Sequence, residues 1–247
     1  MEGRLIIVEE AESTQDLARD MAEQGESDGL AIMALHQTRG RGRLGRSWIS
    51  PPGKNLALSL ILRPDLAPAQ GVLLGLLSSI AAAATIEDRG VPAAELRWPN
   101  DVLVRGRKIA GILPEARIQG PVLEYVIIGI GMNVNTEISD FPAELRSFVT
   151  SLFICTGTKW GIEEIARSFL EHMETLSRRV ESEGCAFIPP LWENRWAHRG
   201  RVLRRDGLTG RAEGLDSDGA LLLRTDDGSL VRVTSGEPVP LDVHDSG

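Results

Sequence analysis

An α+β fold is what this chain predicts: a mainly antiparallel mixed sheet flanked by helices over about the first 195 residues, then a small C-terminal β-domain. Three observations carry that expectation. Strand-like and helix-like segments are mixed through the first part of the chain. From residue 201 the texture changes to short apolar runs split by turns such as DSDG and DDG, the pattern of a barrel-like or SH3-like module. The balance of 42% hydrophobic to 25% charged residues is that of a globular chain, and 247 residues can bury a sizeable core.

The elements follow in order. Residues 4–10 (RLIIVEE) read as a strand and 13–25 as a helix, with Ser13 as N-cap, Asp16 three residues on, and Leu17, Ala18, Met21 and Ala22 on one apolar stripe. Residues 30–36 and 55–63 are two further strands. The apolar run 71–85 is shorter than the roughly 20 residues of a membrane span and carries Ser78, Ser79 and Thr85, so a buried core helix over 68–89 is expected. Short strand pieces are expected at 96–98 and 102–104, a turn into a strand at 105–113, and a strong strand at 122–135 ending in a Gly/Asn-rich turn. Residues 136–157 read as irregular and 159–183 as a long amphipathic helix stopped by Gly184. The natural division is 1–197 and 198–247.

Charge and cysteines narrow the function classes. A net charge of −8 argues against general coating of DNA or RNA, which needs a basic footprint. Cys155 and Cys185 form neither a disulfide framework nor a zinc pattern, and the N-terminus has no basic, apolar leader, so a reduced, cytoplasmic setting is expected. The histidines at 36, 172, 198 and 244 are scattered, which leaves no evident metal or histidine-based nucleophile site.

Against that acidic background, residues 38–48 (TRGRGRLGRSW) place four arginines within eight residues, alternating with glycine. Gly40, Gly42 and Gly45 spell G-x-G-x-x-G, and Gly40 to Ser47 spells a Walker A pattern with Arg46 in the lysine position. Both motifs need a helix next to supply its N-terminal amides, and Pro51, Pro52 and Gly53 forbid one. A passive surface turn fits poorly, because like charges this close repel one another. An RNA-binding arginine–glycine segment fits poorly too, with one short copy and no aromatic before Trp48. The expectation is a mobile anion-binding loop, open when empty, whose guanidinium groups make paired contacts to carboxylate or phosphate. Lys108 is the other candidate. It precedes Ile109, Ala110 and Gly111, so an ordinarily solvated side chain here could instead carry its charge into a pocket. Residues 99–101 (PND) read as a turn, and Asn133 and Asn135 close a core strand.

The segments GRGRLGRSW (40–48), WPND (98–101), KIAGIL (108–113) and GIGMNVN (129–135), in this order and spacing, resemble the biotin–protein ligases, and STQ (13–15) stands where that family commonly has Ser-Thr-Asn. The resemblance runs from about residue 5 to the end of the chain and implies a class II synthetase-like catalytic domain with an SH3-like C-terminal barrel, in a short form without the DNA-binding domain of some members. It implies an ATP- and magnesium-dependent reaction in two steps: biotin and ATP form biotinyl-5′-adenylate and pyrophosphate, and the acyl group then passes to a lysine of a biotin carboxyl carrier protein or carboxylase domain.

On this resemblance Lys108, Arg43 and Arg41 are catalytic, with Lys108 stabilising charge at the biotin carboxylate and the α-phosphate. Ser13, Thr14, Gln15, Gln37, Gly40, Arg41, Gly42, Arg43, Lys108 and Gly111 hold biotin. Arg43, Arg46, Trp48, Asn133 and Lys108 face the nucleotide, and Asp101 is a candidate metal ligand. The sequence departs from the family at Gln15, at Arg97 where lysine is frequent, and at Pro114, which is expected to end its strand. Two alternatives stand beside this reading: a lipoate–protein ligase of the same fold, whose downstream His-Asp signature is absent, and a nucleic-acid-binding module built on the arginine loop. No partner is expected from nucleic acid or membrane. A sheet edge is available to pair two copies or to dock the carrier.

Overall fold

The computed structural model describes residues 4–241. His244 and the rest of the expected C-terminal domain beyond residue 241 lie outside the described residues, as do residues 1–3 of the N-terminal stretch. A seven-stranded sheet forms the body of the molecule, in the order β1-β2-β3-β7-β6-β5-β4. Its strands are β1 (Leu5–Ala11), β2 (Ala31–Gln37), β3 (Asn55–Leu62), β4 (Glu95–Arg97), β5 (Asp101–Val104), β6 (Arg107–Gln119) and β7 (Val122–Asn133). β1 and β2 are parallel, joined across helix α1 (Thr14–Glu23) as a parallel pair requires, and every other neighbouring pair is antiparallel.

Alternation along the central strands sorts the two faces. Leu56, Leu58, Leu60 and Leu62 of β3, with Val126, Ile128, Ile130 and Met132 of β7, face a core shared with helices α2 (Gly71–Glu87), α4 (Ile162–Glu183) and α5 (Ile188–Glu193). Ile61 of β3 and Tyr125 and Ile127 of β7 face the other way, onto Ala18 and Ala22 of α1. α2 is buried nearly all round, so its hydroxyls turn inward. Ser78, Ser79 and Thr85 donate to carbonyls of the preceding turn at 2.6–2.9 Å, and Ser79 Oγ also accepts from the Trp192 indole at 3.0 Å. The helical run Pro68–Glu87 spans 20 residues, close to the expected 68–89. It is long and apolar enough to cross a membrane by length and composition, and most of it is buried inside the fold, as expected of a core helix.

The second sheet holds β8 (Val202–Arg205), β9 (Leu208–Leu215), β10 (Leu221–Arg224), β11 (Leu230–Val233) and β12 (Val239–Pro240), in the order β11-β10-β9-β8-β12. Among the described residues β11 and β12 stay at opposite edges with no ladder between them, so the expected barrel is seen as an open sheet. The two sheets are stitched together where Trp98 Nε1 donates to the Gly219 carbonyl at 3.0 Å, a buried bond.

Two local expectations are corrected, and one helix went unread. β6 does not end at Pro114 but runs on to Gln119, paired with β7 throughout. The β5 ladder stops at Gly111, so that flank of β6 is unpaired where proline has no N–H to give. The segment 136–157 is not wholly irregular: a short helix α3 (Leu152–Thr156) forms behind Ser151, whose hydroxyl accepts from Ile154 N. α5 was hidden by its own composition, with prolines in its first turn, where their missing N–H costs nothing.

Candidate active site

The face of the sheet that carries α1 is apolar at one end and bare at the other. Continuing the alternation from Ile61 and Ile127 leads to Ser59 on β3 and to Gly129 and Gly131 on β7, with Gly111 paired to Gly131 on β6. A strip of sheet without side chains thus floors a cavity of about 400 Å³ beside the start of α1, a volume typical of small-molecule sites. None of these three glycines needs a left-handed backbone. They are small because neighbouring side chains lie against them.

At the Gly129 end those neighbours are hydrogen-bonding and uncharged. A Cβ on Gly129 would come within 2.5 Å of Gln15 Oε1. The Gln15 amide donates to the carbonyl of Leu113 at 3.1 Å and its oxygen accepts from Ser59 Oγ at 3.0 Å. Thr14 N donates to Gln37 Oε1 at 2.8 Å, and Thr14 Oγ1 lies 2.9 Å from Ser59 Oγ. Ser13 caps α1 by accepting from Gln15 N at 3.3 Å. Asp16 takes no part in that cap and turns instead to Arg19 and Arg41. The longer Gln15 in place of asparagine is therefore accommodated, its amide committed to the protein itself.

At the Gly131 end, two residues and about 7 Å further along β7, the groups are aromatic and cationic. A Cβ on Gly131 would lie 2.4 Å from Trp48 Cε2, so the indole lies against the bare strand. Its Nε1 is buried with no hydrogen-bond partner. Lys108 Nζ sits 5.5 Å from the Trp48 ring centroid and 2.6 Å from Asp101 Oδ1. The backbone of Lys108 is clamped by a distant segment: its N–H donates to Phe148 O at 2.8 Å and its carbonyl accepts from Thr150 N at 2.9 Å. The lysine thus lines the cavity, as its sequence context suggested.

Asp101 does not fit a metal ligand. One carboxylate oxygen is taken by Lys108 and the other by Arg97. Burial alone would raise its pKa, but Lys108 and Arg97 together hold it below the ordinary carboxylate value. No group of three histidine, cysteine, aspartate or glutamate side chains suited to a metal occurs among the described residues. Asn133 is likewise corrected. It is buried away from the cavity, accepts from Asn55 Nδ2 at 3.3 Å and donates to Thr150 O at 3.0 Å, fastening β3 and β7 to the segment that clamps Lys108.

The glycine–arginine loop is folded over the cavity rather than open. Gly42 N donates to Arg46 O and Trp48 N to Gly40 O, and a Cβ on Gly40 would meet the Trp48 carbonyl at 2.7 Å. The repulsion expected among its arginines is relieved by the protein's own carboxylates. Arg41, expected to meet substrate, is held by Asp16 and Glu115; Arg46 pairs with Glu237, between β11 and β12; Arg39 pairs with Glu12. Arg43 differs. Its guanidinium donates to Asn100 Oδ1 at 3.1 Å, and Asn100 is fixed by donating to Ile112 O at 2.6 Å. Burial lowers the Arg43 pKa, with Glu237 and Asp101 opposing, and this half-buried cation has no carboxylate ion pair of its own among the described residues.

Ser13, Thr14, Gln15, Gln37, Arg41, Gly42, Arg43, Arg46, Trp48, Lys108 and Gly111 all line this cavity, whereas Gly40 lies on the outer side of the loop. Sequence reasoning missed Ser59, Asn100, Gly129, Gly131 and Glu237 as cavity residues. The alternation of β3, once paired with β7, is the signal that finds Ser59. No local pattern marks Glu237.

Comparison with known proteins agrees with this geometry. Residues 8–133 match the biotin/lipoate A/B protein ligase family, and residues 201–237 match the biotin protein ligase C terminal domain. The chain is similar to the bifunctional ligase/repressor BirA of Bacillus subtilis, 36% identical over 232 residues, covering 92% of this chain and 71% of that protein. It is also similar to the biotin–[acetyl-CoA-carboxylase] ligase of Paracoccus denitrificans, 36% identical over 214 residues, covering 81% and 86%. Among solved structures, the biotin protein ligase from Aquifex aeolicus in complex with biotin and ATP superposes with a TM-score of 0.81 at 30% identity, covering 97% of this chain and 98% of that one.

Proposed function

Because the chain belongs to the biotin/lipoate A/B protein ligase family, we propose that it is a biotin–protein ligase acting on biotin, ATP and a biotin-accepting carboxylase domain. The observation that supports this most is the division of the cavity into an uncharged hydrogen-bonding end at Thr14, Gln37 and Ser59 and a cationic end at Lys108 and Arg43. A polar ring with an aliphatic tail ending in a carboxylate matches that polarity.

The first step brings two anions together. A carboxylate oxygen of biotin attacks the α-phosphorus of ATP, and the bond to the bridging oxygen breaks to release pyrophosphate. Lys108 and Arg43 supply positive charge where the attacking carboxylate and the phosphate meet, in a site partly shielded from water. Lys108 is held in place by Asp101, Trp48 and the Phe148–Thr150 clamp. The folded loop limits access of water to the acyl-adenylate. In the second step the lysine amine of the carrier attacks the acyl carbon, AMP leaves, and the amine loses a proton. Trp48 Nε1 and the Arg43 guanidinium are the donors left for the nucleotide. The side chains around Asp101 do not fit a metal held by the protein, and no step is derived through one.

The division at 197/198 is supported by the start of the second sheet at Val202. A cytoplasmic setting fits the two unpaired cysteines. The net charge of −8 speaks against nucleic acid as a partner. β1, at an edge of the large sheet with Ile7 exposed, is the edge best placed to pair with a second copy.

The test is exchange of labelled pyrophosphate into ATP, run separately with biotin and with lipoate. Exchange that needs biotin is the expected result. Exchange with lipoate alone would make the protein a lipoate ligase, and exchange with neither would remove the adenylate chemistry.

A further inference from the structure

Two cations and two carboxylates close a ring at the base of the loop. Arg19 Nη1 lies 2.8 Å from Asp16 Oδ1, and Arg19 Nη2 lies 2.5 Å from Glu115 Oε2. Arg41 Nη2 lies 3.1 Å from Asp16 Oδ1 and 3.1 Å from Glu115 Oε1. Each arginine touches both acids and each acid touches both arginines, so the charges cancel within the ring. The ring joins three elements that build the cavity: α1, which brings Ser13, Thr14 and Gln15; the loop, through Arg41; and β6, beyond Pro114. It has this reach because β6 continues past Pro114 instead of ending there.

The loop is also a partition. Its inner side bounds the 400 Å³ cavity and its outer side bounds an open groove of about 670 Å³ that Glu115 helps to line. Arg41 lies between Gly40 and Gly42 in that partition. A side chain tied there at both acids restrains the glycines on either side of it. A lone exposed ion pair would do little, but a closed network with a planar guanidinium at its centre is better ordered.

We propose that Glu115 is a positioning residue that, through Arg41 and Arg19, holds the loop closed and so retains the acyl-adenylate until a carrier lysine arrives. This rests on the ligase reading. Glu115 does not line the cavity; it lies on the outer side of the loop. It acts as anchor rather than competitor: if it merely occupied Arg41, its removal would free a cation for the substrate and tighten retention. The two roles therefore have opposite signs.

The experiment uses the full chain with biotin and ATP. Pyrophosphate exchange is measured first on the parent, and then release of adenylate from the loaded enzyme and biotin labelling of serum albumin are compared for the parent, Glu115→Gln and Glu115→Asp. For Glu115→Gln we expect release and stray labelling to rise about tenfold, a coupling usual between neighbouring charged groups, with exchange at saturating substrate and thermal unfolding little changed. Glu115→Asp should recover part of the loss, and Glu115→Gln combined with Arg41→Ala should leak no faster than Arg41→Ala alone. Parent-like or slower release from Glu115→Gln, or additive effects in the double variant, would overturn the anchoring role. Should Glu115→Gln not fold, Asp16→Asn carries the same expectation and the same refutation. Absence of exchange in the parent would instead sink the ligase reading, so the two failures are distinguishable.

Discussion

Replacing Gly131 by alanine adds one methyl group at the point where the strip of bare strand meets Trp48. The new Cβ would lie 2.4 Å from Cε2, 2.7 Å from Nε1 and 2.8 Å from Cδ2 of the indole. Carbon atoms rest comfortably at about 3.5–4.0 Å, so the gap must open by roughly 1 Å. Gly131 is paired on both sides, to Ala57 of β3 and Gly111 of β6, which leaves the backbone little freedom to yield. The indole must withdraw. Overpacking of this kind costs about 1–3 kcal/mol. The backbone here is not left-handed, so alanine also stiffens the unfolded chain and returns about 0.4–1 kcal/mol. The net loss of stability is therefore small, on the order of 1–2 kcal/mol. Activity should suffer more. Trp48 is the surface against which Lys108 rests, and a displacement near 1 Å in a reacting group costs on the order of a hundredfold. Urea unfolding and biotin-dependent pyrophosphate exchange measure the two effects separately. The double variant Gly131→Ala/Trp48→Leu should regain stability without regaining exchange. Parent-like exchange in Gly131→Ala would mean that the indole does not set the cationic wall, and the argument would fall.

Three further outcomes follow from the same geometry. Lys108→Ala should lower adenylate formation by about 10²–10³-fold, the size of losing one preorganised charge-stabilising group, while circular dichroism stays unchanged. Ser59→Ala removes the donor to Gln15 Oε1 and the neighbour of Thr14 Oγ1, at a cost of about 1–3 kcal/mol, and should raise the biotin KM severalfold with little change in kcat, as a titration of exchange against biotin will show. Asp101 has a folded pKa below its unfolded value near 3.9, so in the window beneath about pH 4 the unfolded chain binds the proton first. The stability that its pairing with Lys108 and Arg97 contributes is present above that pH and is lost as pH falls through the folded value. Thermal unfolding followed downward from pH 5 should show a shallower acid decline for Asp101→Asn, and an unchanged decline would exclude Asp101 as its source.

Much of this architecture could be read before any coordinates. The period-2 runs of β3 and β7, the apolar stripe of α1 and the Ser13 cap are local patterns, and local patterns fixed those elements to within a residue or two. Of the residues read from contiguous motifs, Ser13 to Gln15, Arg41 to Arg43, Arg46, Trp48, Lys108 and Gly111 line the cavity, and they were legible for the same reason. What escaped depends on long-range pairing. Ser59 joins the cavity only because β3 lies beside β7. Glu115 reaches Arg41 only because β6 survives its proline. Asn133 was expected to face the nucleotide from the end of a strand, but Asn55, 78 residues earlier, donates to its oxygen. The loop looked self-repelling because its counter-charges, Asp16, Glu115 and Glu237, come from elsewhere in the chain.

The pairing of Arg46 with Glu237 has a consequence in time as well as in space. Glu237 lies late in the chain and beyond β11, yet it forms part of the cavity wall that Ser13 begins. Synthesis from the N-terminus makes Ser13 and the sheet floor first, and Glu237 only after the first four strands of the second sheet. The wall that Glu237 contributes is therefore missing until those strands have been made. The second sheet thus contributes to the chamber itself and not only to the surface beside it.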